Sequence, residues 1–237
     1  MPLDPSGTRH RRTPRAITGL GIWMLASLAL FASRAARAEG AVRAEGARGP
    51  DTSYGRIDGD LSLALGLGAT LGPTSPRATA DVRFRYLDTV GAFATYEDGP
   101  LVGSDPEPRR VVALGVEVRP LFIARWLQGL EFGTPHLDLA VDSFGLELGA
   151  FFAEPHGDTF GSRRGLQAGL GVELPILARA KGLWIGLHGG VRWSDAALAG
   201  SPVLGPADRA MYLAMTVSWH VFFGAHVVDL FDRRPER

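Results

Sequence analysis

The sequence contains no cysteine. No disulfide can tie its loops, no N-terminal cysteine can carry a lipid anchor, and whatever stabilises the chain is non-covalent. It also lacks any helix-period segment long enough to build an α-helical domain. Phosphate loops, dinucleotide fingerprints and zincin motifs are missing as well. His156 and Asp158, in EPHGD, could touch a metal, but no third ligand follows at a recognisable spacing. Neither a metal nor a cofactor is expected.

One uncharged apolar run stands out, Ala16–Ala32. It follows Arg9, Arg11, Arg12 and Arg15 and precedes Ala36-Arg37-Ala38, an A-x-A-like cleavage site. It lies at the short edge of the roughly 17–25 residues that a membrane helix needs. Residues 1–38 therefore read as a cleaved signal peptide, with Glu39 the first mature residue. Without that segment, which holds six arginines and one aspartate, the 25 basic and 25 acidic residues become 19 and 24, a net charge of −5. That sign excludes nucleic acid as an expected partner. Residues 39–57, with the near-duplication AEGAVRAEGAR, read as a flexible linker.

What is present is a period of two. In GDLSLALGLGATLG, Leu61, Leu63, Leu65, Leu67 and Leu71 alternate with Ser62, Ala64, Gly66, Gly68 and Thr70. Such alternation marks a strand with one apolar face and one face of small side chains. Seven more alternating segments follow: Ala78–Leu87, Val90–Glu97, Arg110–Arg119, Ser143–Ala153, Gly165–Leu174, Gly182–Ser194 and Arg209–Phe223. The eight-strand count depends on a turn at Asp88-Thr89.

Two closed barrels fit such strands with opposite faces inward. A soluble lipocalin-like barrel turns its leucines into a ligand cavity; an outer-membrane barrel turns them to lipid. The small face of the first strand is a poor water-facing surface but a good lumen wall. It leaves room for Asp81, Arg83, Arg85, Glu117, Arg119, Glu147, Glu173 and Arg192, four of each sign, which predicts a mutually paired charge network in the lumen. Strands near ten residues also match the roughly 9–11 that cross a bilayer when tilted.

On this pattern the chain resembles the small eight-stranded outer-membrane β-barrels of Gram-negative bacteria, of the OmpA/OmpX type. The resemblance implies an all-β, closed, antiparallel up-and-down transmembrane barrel over residues 58–223, with a C-terminal tail at 224–237. It implies outer-membrane localisation, contact with membrane lipid and lipopolysaccharide, and insertion by the barrel-assembly machinery, with a monomer as the expected state. Such barrels usually end on an aromatic residue that this machinery reads. Here Phe223 is followed by GAHVVDLFDRRPER, so the signal is internal or Phe231 takes its place.

With a periplasmic N-terminus, the connections at 73–77, 98–109, 154–164 and 195–208 face outside, and the last three are long and polar. Pro120–Asp142 is long for a periplasmic connection. Within it, Phe122, Ile123, Trp126, Leu127 and Leu130 share one helical side. This predicts one short amphipathic helix, either at the inner membrane interface or packed under the barrel mouth.

Ser218 and His220, two apart on one strand face, with Glu173 inward on another, are the candidates for a hydrolytic site acting on lipid A. Neighbours at i and i+2 on a strand are common by chance, so no catalytic residue is expected. His136 with Asp142-Ser143 is no better. The expected role is structural or surface-interacting, without an open pore; a lipid-A acyl hydrolase or transferase and a soluble periplasmic lipocalin-like binder are the alternatives.

Overall fold

Leu61, Leu63 and Leu65 point away from the barrel interior, while Ser62, Ala64 and Gly66 between them are buried. The computed structural model repeats this division around a closed wall. It describes residues 54–73, 75–101, 108–155, 157–202, 204–205 and 207–225. The expected signal peptide, the linker up to residue 53, residues 226–237 and His156 lie outside these.

The wall comprises β1 (Leu61–Leu71), β2 (Pro76–Tyr86), β3 (Val90–Asp98), β4 (Arg110–Val118), β5 (Gly145–Glu154), β6 (Arg163–Pro175), β7 (Gly182–Ser194) and β8 (Arg209–Phe223). Every strand pairs antiparallel with its sequence neighbour, and β1 pairs with β8 to close the barrel, Leu65 opposite Trp219. This is an up-and-down eight-stranded β-barrel, with no free sheet edge.

The turn between β2 and β3 falls one residue earlier than the sequence suggested. Leu87 and Asp88, with φ of 47° and 52°, form its centre, and the Thr89 N–H donates to the Tyr86 carbonyl at 3.0 Å. Two consecutive left-handed residues make the hairpin turn whose twist matches that of the flanking strands.

The end of the barrel carrying this turn, here the near end, also holds the connections 119–144 and 176–181. Connection 119–144 contains two helices rather than one, α1 (Pro120–Gln128) and α2 (Pro135–Asp142). A proline starts each where a free N–H would otherwise be wasted, and Gly129, at φ 62°, ends α1 in the left-handed conformation. The far end carries the connections between β1 and β2, β3 and β4, β5 and β6, and β7 and β8, the last with the one-turn helix α3 (Asp195–Leu198).

The interior is filled with side chains. Toward the far end an apolar layer forms from Phe93, Val111, Ala113, Phe151 and Ala153. Gly115 and Gly149 face each other across β4 and β5. A Cβ on Gly115 would sit 2.3 Å from the Leu148 carbonyl oxygen and 2.7 Å from the Phe93 ring. The glycine is required there because strand backbone and a lumen aromatic both close on it.

Candidate lumen charge network

The small residues on the inward faces leave volume that long charged side chains occupy. Six arginines (56, 77, 83, 85, 119, 192) and six carboxylates (Asp81, Asp88, Glu97, Glu117, Glu147, Glu173) are buried in or at the mouth of the lumen. All eight charges singled out from the sequence are among them. A buried ion left single would cost several kcal/mol, so the arrangement stands or falls on pairing.

At mid-height Arg83 is the hub. Its Nε donates to Asp81 at 2.7 Å, and its Nη1 reaches Glu117 at 2.9 Å and Glu147 at 2.6 Å. Asp81 also accepts from Thr95, and Glu147 accepts from the His188 Nδ1–H at 2.8 Å. Gly171 on β6 makes this possible, since a Cβ there would lie 2.5 Å from the His188 ring nitrogen.

Nearer the helices, Arg85 bridges Glu117 and Glu173 at 3.2 and 3.0 Å. Arg119 holds Glu117 at 2.7 Å, Asp88 at 3.3 Å, and Glu173. Toward the far end, Glu97 joins Arg77 at 3.0 Å to Arg192 at 2.6 Å. The Arg192 guanidinium also lies 4.4 Å from the Tyr212 ring centre, within cation–π range. These bridges tie β2 to β4, β5 and β6, and β3 to β7. At mid-lumen a cavity of about 10 Å³ is bordered by Thr79, Thr95, His188, Tyr212 and Thr216, room for about one water molecule.

Four members of the network were not singled out from strand alternation. Arg56 precedes β1, in the stretch read as linker, and Asp88 is a turn residue. Arg77 and Glu97 sit at strand ends, where the inward face is hard to distinguish from loop. Arg56 donates to Asp88 at 2.7 Å and to the Leu139 carbonyl at 2.6 Å, and lies over the Phe122 ring at 4.9 Å. Burial lowers its pKa, against the opposing pull of Asp88. Tyr54 donates to Asp138 at 3.0 Å, and the Tyr54 carbonyl accepts from the Ala180 N–H at 2.9 Å. Together Tyr54 and Arg56 strap α1, α2 and two near-end turns over the barrel mouth.

Ser218, His220 and Glu173 do come together. Ser218 Oγ lies 3.1 Å from His220 Nε2, and Glu173 lies 3.7 Å from the same nitrogen. A nucleophile–base–acid relay needs the acid on the other ring nitrogen, where it orients the base. Here serine and carboxylate converge on one atom. Glu173 is already engaged by Arg85 and Arg119, and Trp184 stacks on the imidazole at 4.8 Å. All three side chains are buried inside the barrel, away from its apolar outer wall. Among the other sequence candidates, Asp142 pairs with Arg125 and Ser143 donates to the Ala140 and Glu173 carbonyls, with His136 bonded to neither in the structure. Among the described residues, no group of three His, Cys, Asp or Glu side chains could hold a metal ion.

No family model matches the chain, and no curated protein does. Among solved structures, it is similar to Ail, the attachment invasion locus protein of Yersinia pestis, at 10% identity and a TM-score of 0.37, over 69% of this chain and 99% of that one. It is similar to CarO2 of Acinetobacter baumannii at 10% identity and a TM-score of 0.39, over 68% and 99%. A complex of Ail with the heparin analogue sucrose octasulfate matches at 11% identity and a TM-score of 0.34, over 68% and 97%. At these values neither ligand nor role transfers to this chain.

Proposed function

We propose that this chain is an outer-membrane β-barrel of a Gram-negative envelope, exported by residues 1–38, with a sealed lumen and a structural or surface-interaction role. The observation that carries the reading is the inversion of the wall. Leu114, Val116, Leu148, Leu170, Met215 and Val217 are exposed on the outside, while twelve charges are buried inside. Water outside would penalise the first arrangement, and lipid outside rewards it. The same inversion counts against a lipocalin-like binder, whose apolar face would line a roomy cavity.

On this reading the near end, with its helical connection, faces the periplasm and the far-end connections face outward. Partners are then outer-membrane lipid and lipopolysaccharide, with the barrel-assembly machinery acting during biogenesis and the folded barrel a monomer. The convergence of Ser218 and Glu173 on one nitrogen of His220 counts against the lipid-A-modifying enzyme. An unchanged lipid A acyl pattern in cells carrying Ser218→Ala and His220→Ala agrees with that, and a lost modification would restore the enzyme.

Envelope fractionation tests the proposal as a whole. The mature chain should sediment with outer membranes and, in detergent, run faster on an unboiled gel than on a boiled one. A closed barrel has no edge from which to fray, so it unfolds slowly and as a unit. Recovery in the soluble periplasm would overturn the proposal.

A further inference from the structure

The helical connection at the near end repeats the inversion of the wall. Three of its charged groups pair with one another away from solvent: Arg125 pairs with Asp138 at 2.6 Å and with Asp142, and both carboxylates are buried. Phe122 and Leu139 are buried, but most of its large apolar groups point outward. Ile123, Trp126, Leu127, Leu130, Phe132 and Leu137 are all exposed, Leu127 by 70%. Between Pro120 and Leu137 the charged residues are Arg125 and Glu131, each only partly exposed, among mostly apolar exposed side chains. A connection hanging in water would carry charges on that side and would hide its leucines against the barrel.

We infer that α1, α2 and the segment between them form an interfacial anchor whose outward side lies in the headgroup–acyl boundary of the leaflet at the near end. This rests on the proposed membrane setting of the barrel and extends it to a part that strands alone do not place. Continuity selects lipid as the occupant. Val90, Val118, Leu146, Leu174, Ile176 and Leu177 form an exposed apolar rim at the same end of the wall, so the patch extends the surface that the barrel already offers to the bilayer. A predominantly apolar surface with a tryptophan matches interfacial depth. The inward pairs then serve a purpose: they hide Arg125, Asp138 and Asp142 from the same low-dielectric medium.

Because the chain has no cysteine, single-cysteine labelling tests this directly. Leu127→Cys and Leu130→Cys carry a nitroxide on the anchor, Leu114→Cys on the mid-wall, and Thr159→Cys on an outward loop. Each purified variant is placed in phospholipid nanodiscs, and nitroxide accessibility to oxygen is compared with that to a water-soluble nickel chelate. The oxygen-to-nickel ratio at 127 and 130 should exceed that at 159 severalfold and fall below that at 114. Ratios at 127 and 130 equal to that at 159, with 114 lipid-like, would overturn the anchor, including in favour of a protein partner absent from the nanodisc. A water-like ratio at 114 as well would instead overturn the membrane setting itself, and the anchor with it.

Discussion

Arg83 and Glu147 meet across the lumen, Nη1 to Oε1 at 2.6 Å, although β2 and β5 are not neighbours in the wall. Both residues are buried. Arg83 also serves Asp81 and Glu117, and Glu147 also serves His188, so each carboxylate at this level satisfies a cation and each cation several carboxylates. The network is a cross-brace made of charge.

Glu147→Ala should therefore destabilise the barrel by about 3–5 kcal/mol, because it strands part of the Arg83 charge in a low-dielectric interior. The double variant Glu147→Ala with Arg83→Met should cost less than the two single losses added together. Denaturant unfolding in detergent measures both. Strict additivity would mean that the two side chains do not meet.

The direction of the faces can be tested on adjacent residues of β1. Leu65 points outward, while Gly66 points inward, where a Cβ would lie 3.2 Å from the Ser218 Cβ. Leu65→Arg should cost about 2–4 kcal/mol by placing a charge in lipid. Leu65→Phe should be nearly silent, whereas Gly66→Arg overpacks the lumen and should impair folding. Equal damage from Leu65→Phe and Gly66→Arg would mean the faces are reversed.

The wall was legible in the sequence because its signal is local and periodic. β7 and β8 begin and end where the alternation does, at Gly182, Ser194, Arg209 and Phe223. Turn chemistry was less legible, since Leu87 is not a residue that advertises a left-handed φ. The break between α1 and α2 hides in LEFG, whose leucine and phenylalanine continue the apolar pattern while Gly129 and Pro135 end and restart the helices. Arg56 was invisible for a different reason: nothing near it in sequence says that its partners are Asp88 and the Leu139 carbonyl, 32 and 83 residues away. Inward charges on strands announce themselves by phase; a strap residue has no phase.

The strap over the near end should respond to acid. Burial acts to raise the pKa of Asp138, but donors from the Phe132 N–H, Arg125 and Tyr54 outweigh it and hold the carboxyl below the usual range. A depressed folded pKa contributes stability that is present above the unfolded value near 4 and is lost as pH falls through the lower folded value. Asp142 has the opposite sign: burial raises its pKa against Arg56 and Arg125, so its contribution is present below the unfolded value and fades as pH rises through the folded one. Hydrogen exchange of α2 amides, corrected for intrinsic rate, should lose protection below about pH 4. Asp138→Asn should flatten that acid limb, whereas Asp142→Asn should leave it. A limb unchanged in Asp138→Asn would show that Tyr54 and Arg125 do not act through this carboxylate.

The lumen should not conduct. From the near end, a permeating ion meets Arg56 against Phe122, then Arg119 and Arg85 on Glu173, then Arg83 on Glu147, then Arg192 on Glu97. Each step presents a cation already paired, so passage requires breaking buried ion pairs, and the cavity at mid-height, about 10 Å³, has room for about one water. An eight-stranded wall is narrow enough for side chains to fill it. The purified protein in planar bilayers should give no steady unitary currents, and Arg56→Ala, which removes only the outermost obstacle, should remain silent as well. That variant should nevertheless be nicked faster by protease between Gly129 and Thr134, since α2 loses the hydrogen bond that holds the Leu139 carbonyl to the mouth. Large, ion-selective channels from the unaltered protein would contradict the sealed lumen and move the chain toward a porin-like role.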